Sequence, residues 1–394
     1  MSDLFENEDL EFEPTEKTYG TLPPFPSDGV DDVVVIGAGI AGLLTALCVA
    51  PIRPVTILTT KIVTEYYASN DLNISPFDPE IIDELSNDPT PHAQYLHKNL
   101  QNTQNKLREF GCDSTCSVNT IHSNLLNQAR STENIRFVEG YIADTIITDG
   151  GFATGLMAHH AETPAHQVTI PAQAVILATG GISSLFEEDM KQAGITGIGI
   201  ALAARAGARL AALGQIAMSP STEQSLYHIG GAVVDAQGRT TVDKLWACGE
   251  AAYFASNDRS FGRRLAALET LVMCIHMADD IENSSKQYYK VTRDLEVSDR
   301  FVFMPENAQK LVHGVHKTAL NYLHPKATEA VDEDILNKLT KAYAILKPVP
   351  ALGNSALAAM LIAYAQLQQK SADQGEKYTN FAQITEFCTA LSEQ

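Results

Sequence analysis

The chain has 394 residues, of which 45% are hydrophobic and 19% are charged, so it can fill the cores of two or three domains. Its formal net charge of −20 repels nucleic acids and anionic membrane surfaces, which argues against both as partners. It has no run of about 18 apolar residues, so we predict no membrane span.

The first 30 residues differ in composition from the rest of the chain. Residues 1–30 are acidic and rich in proline, and their apolar residues follow no period, which predicts a disordered arm. The arm has neither the basic residues nor the apolar centre of a presequence. Six scattered cysteines indicate reduced thiols and a cytoplasmic protein, and the single C-x₃-C spacing at 112–116 predicts no metal site.

A glycine turn between a strand and a helix is the clearest motif near the start. Residues 31–36 form a β-branched run typical of a buried strand, an apolar helical pattern follows the turn, and a second strand is predicted at 55–58. In such a β-α-β unit the glycines allow a tight turn and let backbone amides approach a pyrophosphate at the helix N-terminus. We therefore predict a dinucleotide site made by Gly37, Ala38, Gly39, Ile40, Ala41 and Gly42.

The end of the second strand leaves the type of dinucleotide open. An acidic residue is expected there to bind a ribose, but the chain has Thr59, Thr60 and Lys61. A threonine hydroxyl can replace the carboxylate at the ribose, whereas Lys61 favours a phosphate. FAD and a nicotinamide dinucleotide are both compatible with this position.

The remaining elements are a mixture of helices and strands up to about residue 285, beyond which the chain is predicted to be largely helical. Residues 62–92 are expected to be irregular. Helices are predicted at 92–110, 120–130, 199–212 and 262–281. The helical region beyond 285 is expected to be broken at 348–353. Strands are predicted at 135–139, 174–178, 231–234 and 245–248, and a small antiparallel sheet near 142–147, 152–158 and 166–170.

Two later motifs decide the cofactor. Ala178, Thr179, Gly180 and Gly181 follow a buried strand and resemble the A-T-G-G turn of flavoproteins. Residues 240–251 resemble the flavoprotein segment in which a strand delivers a Gly-Glu pair, here Gly249 and Glu250, to the flavin. Three motifs in this order over about 215 residues predict FAD as the cofactor.

These motifs, with the segments 196–213 and 227–253, resemble the fumarate reductase, succinate dehydrogenase and L-aspartate oxidase flavoprotein family, and L-aspartate oxidases most of all. The resemblance implies an α/β fold: a Rossmann-like FAD-binding domain of the GR2 type over 31–283, with a parallel sheet and a small inserted antiparallel sheet. A helical region would follow at 284–394. The implied reaction is oxidation of L-aspartate to iminoaspartate for NAD biosynthesis, with oxygen or fumarate reoxidising the flavin.

The resemblance also assigns site residues outside the glycine turns. His228 matches a family histidine that stands just before a Gly-Gly strand, and its alternative is a histidine placed by strand geometry alone. Arg263 and Arg264 match a stretch that meets the flavin and a substrate carboxylate, with a solvated basic pair as the alternative. Glu250 is expected to bind a flavin ribityl hydroxyl, and Leu265 to contact the cofactor. Surface or packing roles are expected for His122, His159 and His160.

The chain departs from the family where a substrate-capping domain is expected. Only about fifteen residues are available near 213–227, so most of that domain is missing. The carboxylate clamp and the lid over the flavin would then have to come from a partner protein or a second copy of the chain. A second function therefore stays open, in which the chain is a catalytically impaired flavin-binding relative that acts as a structural or regulatory partner.

Overall fold

The computed structural model describes residues 31–61, 75–163, 166–186, 196–218, 226–254, 262–284, 296–299, 308–347, 349–371 and 378–379. The predicted disordered arm at 1–30 lies outside these residues. Within the described part of the chain no helix is long and apolar enough to cross a membrane.

Strands and helices are mixed through the first two thirds of the chain, and helices predominate after that. The described strands are β1 (Asp31–Ile36), β2 (Val55–Thr59), β3 (Ile135–Glu139), β4 (Tyr141–Asp149), β5 (Phe152–His160), β6 (His166–Leu177), β7 (Leu210–Ala211), β8 (Ile216–Met218), β9 (Leu226–His228), β10 (Gly231–Val234), β11 (Leu245–Ala247), β12 (Ala252–Phe254), β13 (Glu296–Asp299) and β14 (Tyr378–Thr379). The described helices are α1 (Ile40–Val49), α2 (Pro79–Asn87), α3 (Pro91–Glu109), α4 (Val118–Arg130), α5 (Ile198–Ala206), α6 (Gly262–Ser284), α7 (Ala308–Thr318), α8 (Glu333–Leu346) and α9 (Pro350–Ser371).

A parallel sheet forms the centre of the molecule. Its strands lie in the order β3-β2-β1-β6-β11, because β1 pairs with β2 and β6 while the far side of β6 pairs with β11. Residues 33–36 and 174–177 are buried apolar runs, as expected for strands covered on both faces. All five strands end at the same edge of the sheet. The predicted α/β fold with a parallel sheet and an inserted antiparallel sheet is confirmed.

One strand, β6, belongs to both the parallel sheet and the inserted antiparallel sheet. Its first half pairs antiparallel with β5 and β13, and its second half pairs in parallel with β1 and β11. Pro171 lies between the two halves, opposite Gly155 of β5, and its missing N–H is tolerated where the strand exchanges partners. The prediction of separate strands at 166–170 and 174–178 is therefore wrong. They form one strand of 12 residues.

Three predicted boundaries need correction. The Ala-rich helix predicted at 199–212 ends at Ala206, because Gly207 adopts a left-handed conformation (φ 87°) that caps it. The predicted irregular segment 62–92 contains α2, which begins where the Asp78 side chain accepts a hydrogen bond from the Glu80 amide and Pro79 takes the first helical position. The break predicted at 348–353 is shorter, since α9 already begins at Pro350.

The last helices pack on one another and on the sheet. Helices α7, α8 and α9 are in mutual contact, and α9 also contacts α5 and β4. At this junction the Asn354 side-chain amide donates a hydrogen bond to the Ala143 carbonyl (3.5 Å). The C-terminal helices therefore share one core with the sheet.

Candidate functional site

The three glycine-containing turns predicted from sequence lie side by side at the edge where the parallel strands end. The amide of Ala178 donates to the Ile36 carbonyl at 3.0 Å, and the amide of Cys248 donates to the Leu177 carbonyl at the same distance. The chain thus leaves β1, β6 and β11 as three adjacent turns. One extended ligand lying along the edge can contact all three.

The first turn has room only for glycine at two positions. Gly37 has φ 115°, and a Cβ added to it would lie 2.2 Å from the Ala178 carbonyl oxygen. A Cβ on Gly42 would lie 2.0 Å from the Gly37 oxygen, because α1 packs closely against the end of β1. These contacts bring the helix N-terminus directly to the strand end, as a dinucleotide turn requires.

The start of α1 is suited to an anion. The helix begins at Ile40, its preceding residue is Gly39, and its first turn contains no acidic side chain. The first amides of a helix have no acceptor within the helix, and the helix dipole adds partial positive charge at this end. Residues 37–42 therefore present backbone donors without a competing carboxylate in that turn, which fits a pyrophosphate.

The end of β2 supplies only some of the predicted polar contacts. Thr59 is buried, and its hydroxyl donates to the Lys61 carbonyl at 3.1 Å. Thr60 is half-buried and Lys61 is exposed. Glu139, the exposed last residue of β3, lies opposite Thr59 in the strand register. The acidic residue expected at the end of β2 is absent there. Glu139 lies beside that position on the neighbouring strand, which only the sheet register reveals.

The second and third turns contact each other. A Cβ added to Gly181 would lie 2.2 Å from the Glu250 carboxylate, and one added to Gly249 would lie 3.3 Å from the Ala41 side chain. Gly249 (φ 64°) opens a short helical turn at Gly249–Ala251. Glu250, partly exposed, therefore lies beside the A-T-G-G turn, and Gly249 lies against the first helix.

His228 is held by a backbone contact. Its side chain is fully buried and its Nε2 donates to the Leu213 carbonyl at 2.8 Å, which ties β9 to the segment after β7. Only Ile229 separates it from Gly230 and Gly231. One ring nitrogen is thereby bound to the backbone. This agrees with the alternative considered from sequence, a histidine placed by strand geometry.

The predicted residues at the start of α6 are only partly described. Leu265 is buried in its first turn, whereas the side chains of Arg263 and Arg264 lie outside the described residues. Further along α6, Thr270 lies next to Gly249, so the helix does reach the third turn. The predicted carboxylate clamp stays a prediction.

A two-stranded hairpin occupies the position at which the resemblance predicts that most of a capping domain is missing. Strands β8 and β9 pair antiparallel from Ile216 opposite His228 to Met218 opposite Leu226. Seven residues, 219–225, connect the paired ends. A connection of this length cannot form a domain.

Several further titratable groups are packed in the core. His159 lies 2.5 Å from Asp144, both are buried, and burial raises the pKa of that carboxyl. The described cysteines are free thiols, and burial raises the pKa of Cys48 to about 12. The described ranges contain no group of three or more metal-ligating side chains.

Comparison with known proteins supports a flavoprotein. The family model of the FAD binding domain (FAD_binding_2) matches residues 112–224. The L-aspartate oxidase of Mesorhizobium japonicum is 30% identical over 231 residues, covering 48% of this chain and 44% of that protein. The L-aspartate oxidase of Agrobacterium fabrum is 26% identical over 235 residues, covering 50% and 44%. The chain thus matches less than half the length of these relatives.

Solved structures show the same fold over most of the chain. Mycobacterium smegmatis Sdh1 in complex with UQ1 superposes with a TM-score of 0.64 at 15% identity, covering 86% of this chain and 87% of that one. A point mutant of the E. coli quinol fumarate reductase FrdA superposes with a TM-score of 0.60 at 13% identity, covering 86% and 89%. Over these parts the chain is similar to L-aspartate oxidases in sequence and to the Sdh1 and FrdA flavoproteins in fold. FAD is the cofactor that this family match supports.

Proposed function

We propose that the protein is an FAD-dependent oxidoreductase of this family that binds FAD along the edge formed by the ends of β1, β6 and β11. The adjacency of the three turns carries the proposal. Gly37 abuts Ala178, and Gly181 abuts Glu250, so the pyrophosphate end and the flavin end of one nucleotide have neighbouring binding segments. The family model covers 112–224 and so excludes the first and third turns, for which this geometry is independent support.

Each segment has a role in this proposal. The amides of residues 37–42 bind the pyrophosphate, and Thr60, Lys61 and Glu139 provide polar groups for the adenosine ribose. Thr59 shapes the end of β2 through its internal hydrogen bond. Backbone of Ala178, Thr179 and Gly180 borders the nucleotide, Glu250 accepts a hydrogen bond from a ribityl hydroxyl, and Leu265 packs nearby.

The proposed substrate is L-aspartate, which would be oxidised to iminoaspartate and feed NAD biosynthesis in the cytoplasm. When bound, the flavin accepts the hydride. The protein must hold both substrate carboxylates so that the α-hydrogen faces the flavin, which requires cationic side chains. Arg263 and Arg264 are proposed for this clamp, and the buried His228 is proposed to contribute by holding the segment after β7 in place. The partial matches to two L-aspartate oxidases support this choice.

The hairpin at 216–228 favours a second candidate function. Without a capping domain, water reaches the flavin and the clamp lacks a lid, which weakens the electrostatics of catalysis. The protein would then bind FAD and act as a structural or regulatory partner, or it would need a partner protein or a second copy of the chain to complete its site.

Anaerobic flavin spectroscopy separates the two functions. We expect the purified, FAD-loaded protein to be yellow and its visible flavin band to bleach on addition of L-aspartate. L-Asparagine, which lacks the side-chain carboxylate, should leave the band unchanged and is the matched control. A yellow protein that no dicarboxylate or amino acid bleaches supports the structural or regulatory role. A protein that cannot be loaded with FAD contradicts both.

A further inference from the structure

The first glycine turn is held in place by a histidine from a different part of the chain. His122 lies on α4, and its Nε2 atom is 3.3 Å from the Ala38 carbonyl oxygen. Only 1% of this residue is exposed, and the neighbours on the same helix face are apolar, among them Ile121, Leu125 and Leu126. A polar ring on an apolar face costs free energy unless it makes a hydrogen bond, which this carbonyl provides.

The hydrogen bond defines the state of the imidazole ring. Because a carbonyl oxygen can only accept, Nε2 must carry the proton. Burial lowers the pKa of His122, so the ring is neutral near pH 7 and its single proton lies on Nε2. The ring thus acts as a fixed donor directed at the turn.

Two other carbonyls at this turn have partners of their own. The Ile36 carbonyl accepts from the Ala178 amide and the Gly39 carbonyl accepts from the Leu43 amide, both within the strand-turn-helix framework. The Ala38 carbonyl lies between them in the chain and is bound by His122. These three hydrogen bonds therefore fix the backbone on both sides of the Ala38–Gly39 peptide.

The orientation of one peptide fixes the direction of an amide. In a planar trans peptide the C=O and N–H bonds point in opposite directions. Since the Ala38 carbonyl points toward the buried His122 ring, the N–H of Gly39 points away from the interior. It is the amide next to the N-terminus of α1, where the proposed pyrophosphate site lies.

We propose that His122 is a positioning residue for cofactor binding, which holds the Ala38–Gly39 peptide so that the Gly39 amide donates to the pyrophosphate. This inference rests on the proposed FAD site. Without the imidazole donor the peptide can rotate, and the amide no longer points at the phosphate. A packing role would affect only folding stability, whereas a positioning role affects affinity for the pyrophosphate.

The test measures affinity for FAD and for ADP, which contains the pyrophosphate and adenosine but no flavin. The His122→Leu variant removes the donor and keeps an apolar side chain, and we expect about tenfold weaker binding of both ligands, or about 1.4 kcal/mol. In His122→Gln the amide nitrogen stands close to the position of Nε2, so we expect affinity within about threefold of wild type. Leu125→Ala disturbs the same buried helix face without a donor and is the control, with wild-type affinity in the folded protein.

The results distinguish this inference from the proposed function. If the wild-type chain binds neither FAD nor ADP, the proposed function itself fails. The inference alone is overturned if wild type binds while His122→Leu binds equally well, if His122→Gln does not restore affinity, or if Leu125→Ala loses as much affinity as His122→Leu. Should His122→Leu not fold, the comparison of His122→Gln with His122→Asn decides, because the shorter asparagine amide does not reach Ala38. Equal affinities of these two variants would then refute the positioning role.

Discussion

At the scale of single residues, Gly37 is subject to two independent constraints. Its φ of 115° is unfavourable for any residue with a Cβ, and its neighbour Ala178 occupies the space that a Cβ would need. Gly150 provides a natural comparison, since it also has a positive φ (58°) but nothing lies within 4 Å of its added Cβ. A comparison of substitutions at Gly37 and Gly150 therefore separates the cost of backbone strain from the cost of a close contact.

We therefore predict different costs for the same substitution. Gly150→Ala should lower the free energy of unfolding by about 1 kcal/mol, the cost of a left-handed conformation. Gly37→Ala adds a backbone clash and should cost more than about 3 kcal/mol and abolish FAD binding. Urea unfolding and flavin titration measure both quantities. Equal losses of stability in the two variants would contradict the added cost of the contact between a Cβ at position 37 and Ala178.

Sequence reasoning finds those candidate site residues whose types and spacing form a recognisable motif. The glycine turns, Glu250 and the end of β2 can be recognised because their residue types and spacing have a direct physical purpose. Glu139 and His122 cannot, because their relation to Thr59 and Ala38 depends on strand register and on helix packing across about 80 residues. The surface or packing role expected for His122 agrees with its burial, but the sequence pattern contains no sign of its hydrogen bond to the turn.

At the scale of elements, helix termini explain the boundaries that the sequence pattern misses. Helix α2 is short and polar, so its apolar residues Ile81 and Leu85 form too brief a stripe to indicate a helix. The local signal is instead the Asp78-Pro79 pair, a capping side chain followed by proline at the first position. Similarly, Gly207 is the sign in the sequence that the Ala-rich helix ends early.

The capping interaction can be tested directly. Asp78→Ala should lower the free energy of unfolding by about 1 kcal/mol, because the Glu80 amide loses its acceptor. Asp83→Ala, on the exposed face of the same helix, removes the same charge without a cap and should change stability by less than about 0.5 kcal/mol. Chemical denaturation measures both variants. Similar effects at the two positions would rule out a specific capping contribution.

At the scale of the whole molecule, β6 joins the two sheets into one structure. Pro171 and the polar Gln173 interrupt the apolar pattern, which is why the sequence predicts two strands where one exists. The parallel and antiparallel sheets share this backbone, so neither can lose β6 without exposing the other. The C-terminal helices, which contact β4 and α5, extend the same core.

This shared strand predicts cooperative unfolding. Ile170 is buried on the antiparallel half of β6, and Ile170→Ala should lower stability by about 2–5 kcal/mol. We expect one thermal transition, shifted to lower temperature, and faster hydrogen exchange of the β1 amides on the other half. Thr169→Ala, at a half-buried neighbouring position, is the milder control. Unchanged exchange in β1 would mean that the two sheets unfold separately.

The hairpin of β8 and β9 has a consequence for how such a protein can change in size. Met218 and Leu226 are direct partners across an antiparallel pair, so their Cα atoms are only about 5 Å apart. A polypeptide whose own ends are adjacent can be spliced between these two residues without altering any other strand pairing. The loop between β8 and β9 is therefore an insertion site. A lid domain can be added or removed there while the nucleotide-binding edge keeps its geometry.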